Sequence, residues 1–205
     1  MRVALVVAAT KAGGIGHQGQ LPWHLKADMQ HFRDITTKTE QPAAINAVIM
    51  GRKTFESIPD KFRPLHGRLN VVLSTQKPAT LNYPPGVLVA SSLQEAFEFL
   101  DISPEVIETA YIIGGASVYN EALAKPEYSH YIFMTKVHKD VLCDTVMDMK
   151  HLDAYEHDPN FPVQPSLIGV DSGLTTHINL LTHADKQEHK EDDVEYTISL
   201  LRRKQ

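Results

Sequence analysis

Six short apolar runs rich in β-branched residues alternate with helix-like stretches, and this alternation restricts the fold more than any other feature of the chain. The runs are "VALVVAA" (3–9), "AINAVIM" (44–50), "LNVVLS" (69–74), "VLVA" (87–90), "AYIIG" (110–114) and "YIFMTKV" (131–137). Uninterrupted apolar runs of this length read as strands buried on both faces. Between them lie 25–36, "RKTFESI" (52–58), "LQEAFEFL" (93–100) and "ASVYNEALA" (116–124), each with helical character. Strand and helix in turn predict an α/β fold: a mainly parallel sheet of about eight strands with helices on both faces.

After residue 140 the pattern changes. Residues 153–173, including "PNFPVQPSLIG", read as a loop. Two strand-like runs follow, "LTTHINLLT" (174–182) and "VEYTISLL" (194–201), separated by the charged "HADKQEHKEDD" (183–193). Their spacing predicts an antiparallel hairpin that finishes the sheet, with 183–193 as a surface loop. No internal repeat or linker divides the chain, so 1–205 is expected to be one domain.

Composition excludes several classes. The single cysteine, Cys143, rules out an internal disulfide framework and suits a reducing compartment. A formal charge of −5 argues against nucleic acid or an anionic membrane as the main partner. The eleven histidines come without an HExxH or cysteine-paired spacing, so they read as solvated side chains and no metal site is expected. The opening "MRVALVVAAT" is too short an apolar run for a secretory core or a membrane span and reads as a buried strand. The expectation is a cytoplasmic monomer acting on a small molecule.

Gly14, Gly16 and Gly19 spell GxGxxG directly after the first strand. A dinucleotide turn of that type requires the helix to begin within the glycines. Here Pro22 and Trp23 intervene, so a mobile glycine-rich loop flanking a site is the better reading. Two other strand-to-helix junctions suit phosphate. "VIMGRKT" offers Gly51, two cations (Arg52, Lys53) and the Thr54 hydroxyl. "YIIGGASVY" offers Gly114 and Gly115, whose missing side chains let a ligand reach the backbone. Each junction alone also reads as a tight turn, the first with a solvated basic pair. Together, at strand carboxyl ends of one sheet, they favour a dinucleotide, and the cations suit the extra phosphate of NADP.

The stretch "LPWHLKADMQHF" (21–32) poses the sharpest question. At about 100° per residue, Leu25, Asp28, Met29, Phe32 and Thr36 share one sector of the helix. A carboxylate in that stripe must be satisfied by the amides of the helix start, paired, protonated or left to meet a ligand.

"IGHQGQLPWHLKADMQHFRDIT" (15–36) resembles the signature of dihydrofolate reductase. The likeness continues through "VIMGRKTFESIP" (48–59), "FRPLHGRLNVVLS" (62–74), "IIGGASVY" (112–119), "FMTKV" (133–137), "CDT" (143–145) and "YTISLL". The resemblance implies that Asp28 accepts hydrogen bonds from the pterin's 2-amino group and ring nitrogen, helped by Thr135, with Leu21 and Trp23 lining the reacting end. It implies that Val6, Val7, Met29, Phe32, Ile58 and Leu65 sandwich the pterin and aminobenzoyl rings. Arg68 would clamp the glutamate α-carboxylate, with Arg33 nearby. For NADPH it implies Ala8, Gly14, Ile15, Gly16, His17 and Gly19 at the nicotinamide. Gly51, Arg52, Lys53 and Thr54, with Ser74, Thr75 and Gln76, would hold phosphates and adenosine. Gly114, Gly115, Ala116, Ser117, Val118 and Tyr119 would cradle the pyrophosphate, with Ile113 and Tyr119 facing the reacting rings. The implied activity is reduction of dihydrofolate to tetrahydrofolate, with antifolates as inhibitors. The rival readings are a pyrimidine reductase of riboflavin synthesis on the same scaffold, or a non-catalytic folate or nucleotide binder. Thr75 stands where many eukaryotic members carry an arginine on the 2′-phosphate, which leaves that task to Arg52 and Lys53. Phe55 stands where the family usually has tryptophan, and "VMD" follows Thr145 where an aromatic residue and a proline are usual.

Overall fold

The computed structural model describes residues 1–158, 187–191 and 194–204, the segment 187–191 by its backbone alone. In chain order the elements are β1 (Arg2–Thr10), β2 (Gly14–Gly16), α1 (Lys26–Thr37), β3 (Ala44–Gly51), α2 (Arg52–Ser57), β4 (Arg68–Leu73), β5 (Val87–Ala90), α3 (Leu93–Asp101), β6 (Val106–Ile112), α4 (Ala116–Ala124), β7 (Tyr131–Val137), β8 (Thr145–Val146), β9 (Tyr155–His157), β10 (Gln187–Glu191) and β11 (Val194–Arg203). The main sheet runs β10-β11-β7-β1-β6-β3-β4-β5, with β9 also paired to β11. From β7 to β5 every pairing is parallel; β11 lies antiparallel to β7, β9 and β10.

Side-chain alternation explains the two covered faces. On β3, Ala47 and Ile49 pack with Leu93, Phe97 and Leu100 of α3 and Val118 and Leu123 of α4. The intervening Val48 and Met50 pack on the other face with Ile35 of α1 and Phe55 of α2. All four β3 residues are fully buried. A strand needed by two cores cannot alternate polar and apolar residues, which is why it reads as a continuous run.

The six apolar runs and four helices fall within a few residues of their expected places. The C-terminal expectation needs correction. Residues 187–191, inside the charged segment read as a loop, form β10 and pair with β11, so this segment supplies a strand of the hairpin. The run 174–182 lies outside the described residues. Edge strands tolerate charge because one side of their ladder faces water, so "QEHKE" carries no apolar signal. Within the segment read as a loop from 153, Tyr155–His157 forms β9 against β11. A separate ribbon pairs β2 with β8; strands of three and two residues are too short to show periodicity.

Candidate active site

The connection from β1 carries α1 across to β3, whereas the connection from β6 carries α4 the opposite way to β7. Running past each other in opposite directions, the two crossovers lie on opposite faces of the sheet and leave a crevice at the carboxyl ends of β1 and β6, where ligands of α/β proteins bind. Here the lips are α1, the glycine-rich segment after β1, and the junctions β3–α2 and β6–α4.

Helix α1 presents Asp28 to this crevice. Leu25 and Thr36, at the two ends of the expected stripe, are buried at 1% and 0% exposure. Between them Asp28 and Phe32 are only half-buried, and Met29 is 46% exposed. The stripe therefore sinks into the core at its ends and opens in the middle. Thr135 on β7 donates its hydroxyl to Asp28 Oδ1 at 2.6 Å. Thr135 is in register with Ala8 of β1, which brings β1, β7 and α1 to one point. The Tyr119 hydroxyl donates to the Val6 carbonyl at 2.6 Å, tying α4 to the same strand. Burial, reinforced by the charge on Asp28, raises the Tyr119 phenol above its ordinary pKa, so it remains a neutral donor.

At the other end of α1 lies a cationic pair. Arg68 Nη1 donates to Thr36 Oγ1 at 2.5 Å, and its Nε donates to the His66 carbonyl at 3.2 Å. Its guanidinium lies over the Phe32 ring at 5.8 Å. Burial and the neighbouring Arg33 lower its pKa to about 10. Among the described residues neither arginine forms a salt bridge. A half-buried cation fixed by neutral groups and beside a like charge is arranged for an anion from outside.

The glycine junctions form a cradle. Gly51 N donates to the Gly114 carbonyl at 2.7 Å, joining the ends of β3 and β6. Gly114 has φ +102°, and a Cβ there would lie 2.7 Å from the Tyr119 ring. A Cβ on Gly115 would lie 3.2 Å from Thr54 Oγ1. At both positions a side chain would have to displace a neighbour, so glycine is required there. The backbone N–H groups that open α4, with the Thr54 hydroxyl beside Gly115, are a donor set that suits the pyrophosphate of a dinucleotide. Gly51 is in register with Leu73, so Arg52 and Ser74 leave neighbouring strands side by side. Lys53, Thr75 and Gln76 are exposed there.

The GxGxxG segment is pinned against β8. Gln18 N donates to Asp144 Oδ2 at 2.7 Å, Asp144 N to the Gly16 carbonyl at 3.1 Å, and Met147 N to the Gly13 carbonyl at 2.9 Å. His17 Nδ1 is 3.6 Å from Asp144. Helix α1 starts only at Lys26, so the glycines open no helix; the segment is the short strand β2 and the turn after it, at the border of the crevice.

Several of the residues singled out in the sequence reach the crevice differently from their neighbours. Val6, Ile58, Leu65 and Ile113 are partly buried and pack on the α1–α2 face. Val7, at 3% exposure, points to the opposite face and packs with the α3–α4 core. Strand alternation makes Val6 and Val7 face opposite ways, so Val7 offers the crevice its backbone and not its side chain. Ile15 and Val118 are likewise core residues, and Ala116 packs against that core. Leu21 is 52% exposed at the loop's end, and Trp23 is buried with Leu25, Val137 and Tyr196. The Trp23 indole N–H is buried and meets no acceptor among the described residues. Ser117 follows Ala116 in the first turn of α4.

Sequence reasoning assigned no supporting role to three residues that have one. Thr36 fixes Arg68. Asn70, at 2% exposure, accepts from Leu65 N and donates to the Leu65 carbonyl, both at 2.9 Å, and so positions Leu65. Asp144 anchors the glycine loop. The polar residues Thr36 and Asn70 within apolar company were the available signal, since a buried polar group must have a partner.

Comparison with known proteins shows the family. The family model described as dihydrofolate reductase matches residues 2–160. A bifunctional dihydrofolate reductase-thymidylate synthase of Arabidopsis thaliana is 39% identical over 192 residues, 92% of this chain and 34% of the relative. This chain spans about a third of the length of such bifunctional relatives. The dihydrofolate reductase of Heliothis virescens is 41% identical over 146 residues, 71% of this chain and 78% of that protein. Among solved structures, Schistosoma mansoni dihydrofolate reductase superposes with a TM-score of 0.76 at 31% identity, covering 100% of this chain and 99% of the other. In sequence and fold, this chain belongs to the dihydrofolate reductase family.

Proposed function

We propose that this chain reduces 7,8-dihydrofolate to 5,6,7,8-tetrahydrofolate with NADPH. The observation that carries this is Asp28, held by Thr135 in a half-open apolar stripe whose far end, at Thr36, meets Arg68, which forms no salt bridge among the described residues. An acceptor at one end and a cation at the other match a pterin amine and a glutamate carboxylate on a flat aromatic ligand.

NADPH, when bound, supplies a hydride from its carbon 4 to carbon 6 of the pterin. The chain's own residues orient and exclude. Asp28 accepts hydrogen bonds from the 2-amino group and the adjacent ring nitrogen, favouring protonation of nitrogen 5 by solvent. Thr135 spends its proton on Asp28, so its oxygen lone pairs face the same amino group. Val6, Met29, Phe32, Ile58 and Leu65 hold the rings, and Arg68 takes the α-carboxylate beside Arg33. Ile113 and Tyr119 lie where the two rings meet. Gly114, Gly115, Ala116, Ser117 and Thr54 cradle the pyrophosphate, and Arg52, Lys53, Ser74, Thr75 and Gln76 take the adenosine end. The segment from Thr10 to Trp23, including Gly14, Gly16, His17 and Gly19, covers the nicotinamide beside Ala8 and keeps bulk water out.

Antifolates that mimic the pterin would bind Asp28 by the same donors. Residues 1–205 are read as one such domain, acting as a monomer in the cytoplasm. The single cysteine supports a reducing compartment, and no helix among the described residues is long and apolar enough to cross a membrane.

The test is loss of absorbance at 340 nm when purified protein meets NADPH and dihydrofolate. Absence of turnover overturns the assignment whatever else binds.

A further inference from the structure

We propose that Glu56 is a specificity-determining residue: it holds Arg52 in an ion pair that competes with the 2′-phosphate of the nucleotide, and so narrows the preference for NADPH over NADH. The proposal rests on the placement of NADPH given above.

Arg52 opens α2 at the carboxyl end of β3, and Glu56 follows one turn later. Arg52 Nη1 lies 2.8 Å from Glu56 Oε2. An exposed pair at this spacing ordinarily contributes little, because two long side chains are free to part. This one is held from outside the helix. The Tyr83 hydroxyl donates to Glu56 Oε1 at 3.2 Å, and Arg63 Nη1 donates to the Glu56 carbonyl at 3.0 Å. The Tyr83 ring packs against Phe55 at 4.7 Å, and Phe55 is 1% exposed. Tyr83 is therefore anchored to the core and keeps the carboxylate turned to Arg52. Burial and then the Glu56 charge raise the Tyr83 pKa, as a carboxylate fixed beside a phenol requires.

Ser74, Thr75 and Gln76 are neutral, and the Ser74 hydroxyl already accepts from Gln76 N at 3.1 Å. Lys53 and Lys77, which follows Gln76, are exposed and form no salt bridge among the described residues. A 2′-phosphate thus meets mobile lysines and one arginine that is already partnered, with the Glu56 carboxylate behind it. A nucleotide lacking that phosphate meets no such competition. Removing the Glu56 charge should free Arg52 and favour the phosphorylated nucleotide alone.

The experiment titrates adenosine 2′,5′-bisphosphate and adenosine 5′-monophosphate into the full chain by calorimetry. It uses wild type, Glu56→Gln, Arg52→Gln and the double variant. Glu56→Gln is expected to raise the affinity ratio of the bisphosphate to the monophosphate by about threefold, the scale of one exposed pair, and the gain should shrink as salt increases. In the Arg52→Gln background the same change should leave the ratio unaltered, an outcome that general loosening of α2 does not produce. A ratio that stays level or falls in Glu56→Gln, or rises equally without Arg52, overturns the proposal; so does a wild type and variants that bind both nucleotides equally. Turnover of dihydrofolate by the same preparations reports separately on the enzymatic reading.

Discussion

Replacing Arg68 by leucine gives the most discriminating view of the crevice. Of the five guanidinium N–H donors, one goes to Thr36 Oγ1 and one to the His66 carbonyl. Three remain, enough for a bidentate pair with a carboxylate. The two internal bonds and the Phe32 ring fix the fork before a ligand arrives, so little side-chain entropy is lost on binding. A hydrogen bond to a charged group contributes about 1.5–3 kcal/mol. Arg68 is only partly buried, so the lower end of that range applies, about a tenfold rise in the KM for dihydrofolate. The assay is steady-state oxidation of NADPH with dihydrofolate, and then with a dihydropterin lacking the glutamate. Arg68→Leu should raise KM for the first and leave the second nearly unchanged; equal effects refute the carboxylate role.

Three further outcomes are expected. Thr135→Val keeps a β-branched residue on β7 but removes the donor to Asp28, and should lower kcat/KM for dihydrofolate by about tenfold; an equal loss of NADPH affinity would show that the pair is structural. Gly114→Ala forces a Cβ to within 2.7 Å of Tyr119, which its bond to Val6 prevents from moving aside, at φ +102°. Thermal unfolding should register a loss of about 2–4 kcal/mol, and an unchanged Tm contradicts the packing. The Asp144 carboxylate is held below its ordinary pKa by Gln18 N, Thr145 and His17. Its contribution is present above the unfolded pKa and is lost as pH falls through the lower folded value. The loop should therefore be anchored at neutral pH and released in acid; Asp144→Ala should show the released state at pH 7 as faster amide exchange at Gln18, and wild-type protection there refutes the anchor.

Much of the crevice can be read from the amino-acid order because its parts are local. "MGRKT" and "IGGAS" each place glycine and a hydroxyl within a few residues at a strand end, and Asp28 stands out against one helical turn of apolar neighbours. The glycine motif at Gly14, Gly16 and Gly19 shows the reverse. Its letters match a dinucleotide turn, but Pro22 and Trp23 already bar the helix, and the partner that pins it, Asp144, lies 126 residues from Gln18. No local pattern carries such a pairing.

What the sequence by itself determined is the six apolar strands, the four helices and the two-sided burial of the sheet, since hydrophobic period and turn chemistry act over a few residues. The strand order, with β6 between β1 and β3, was decided only in the tertiary structure, because parallel pairing joins residues far apart in the chain. That order brings Thr135 to Asp28 and Gly114 to Gly51. The same physics corrected Val7, whose facing is set by strand alternation, and the charged β10, whose stability comes from its ladder with β11 and not from its own residues. A carboxylate on an apolar stripe is a local fact; that the stripe lies open in its middle depends on which surfaces the other elements leave uncovered.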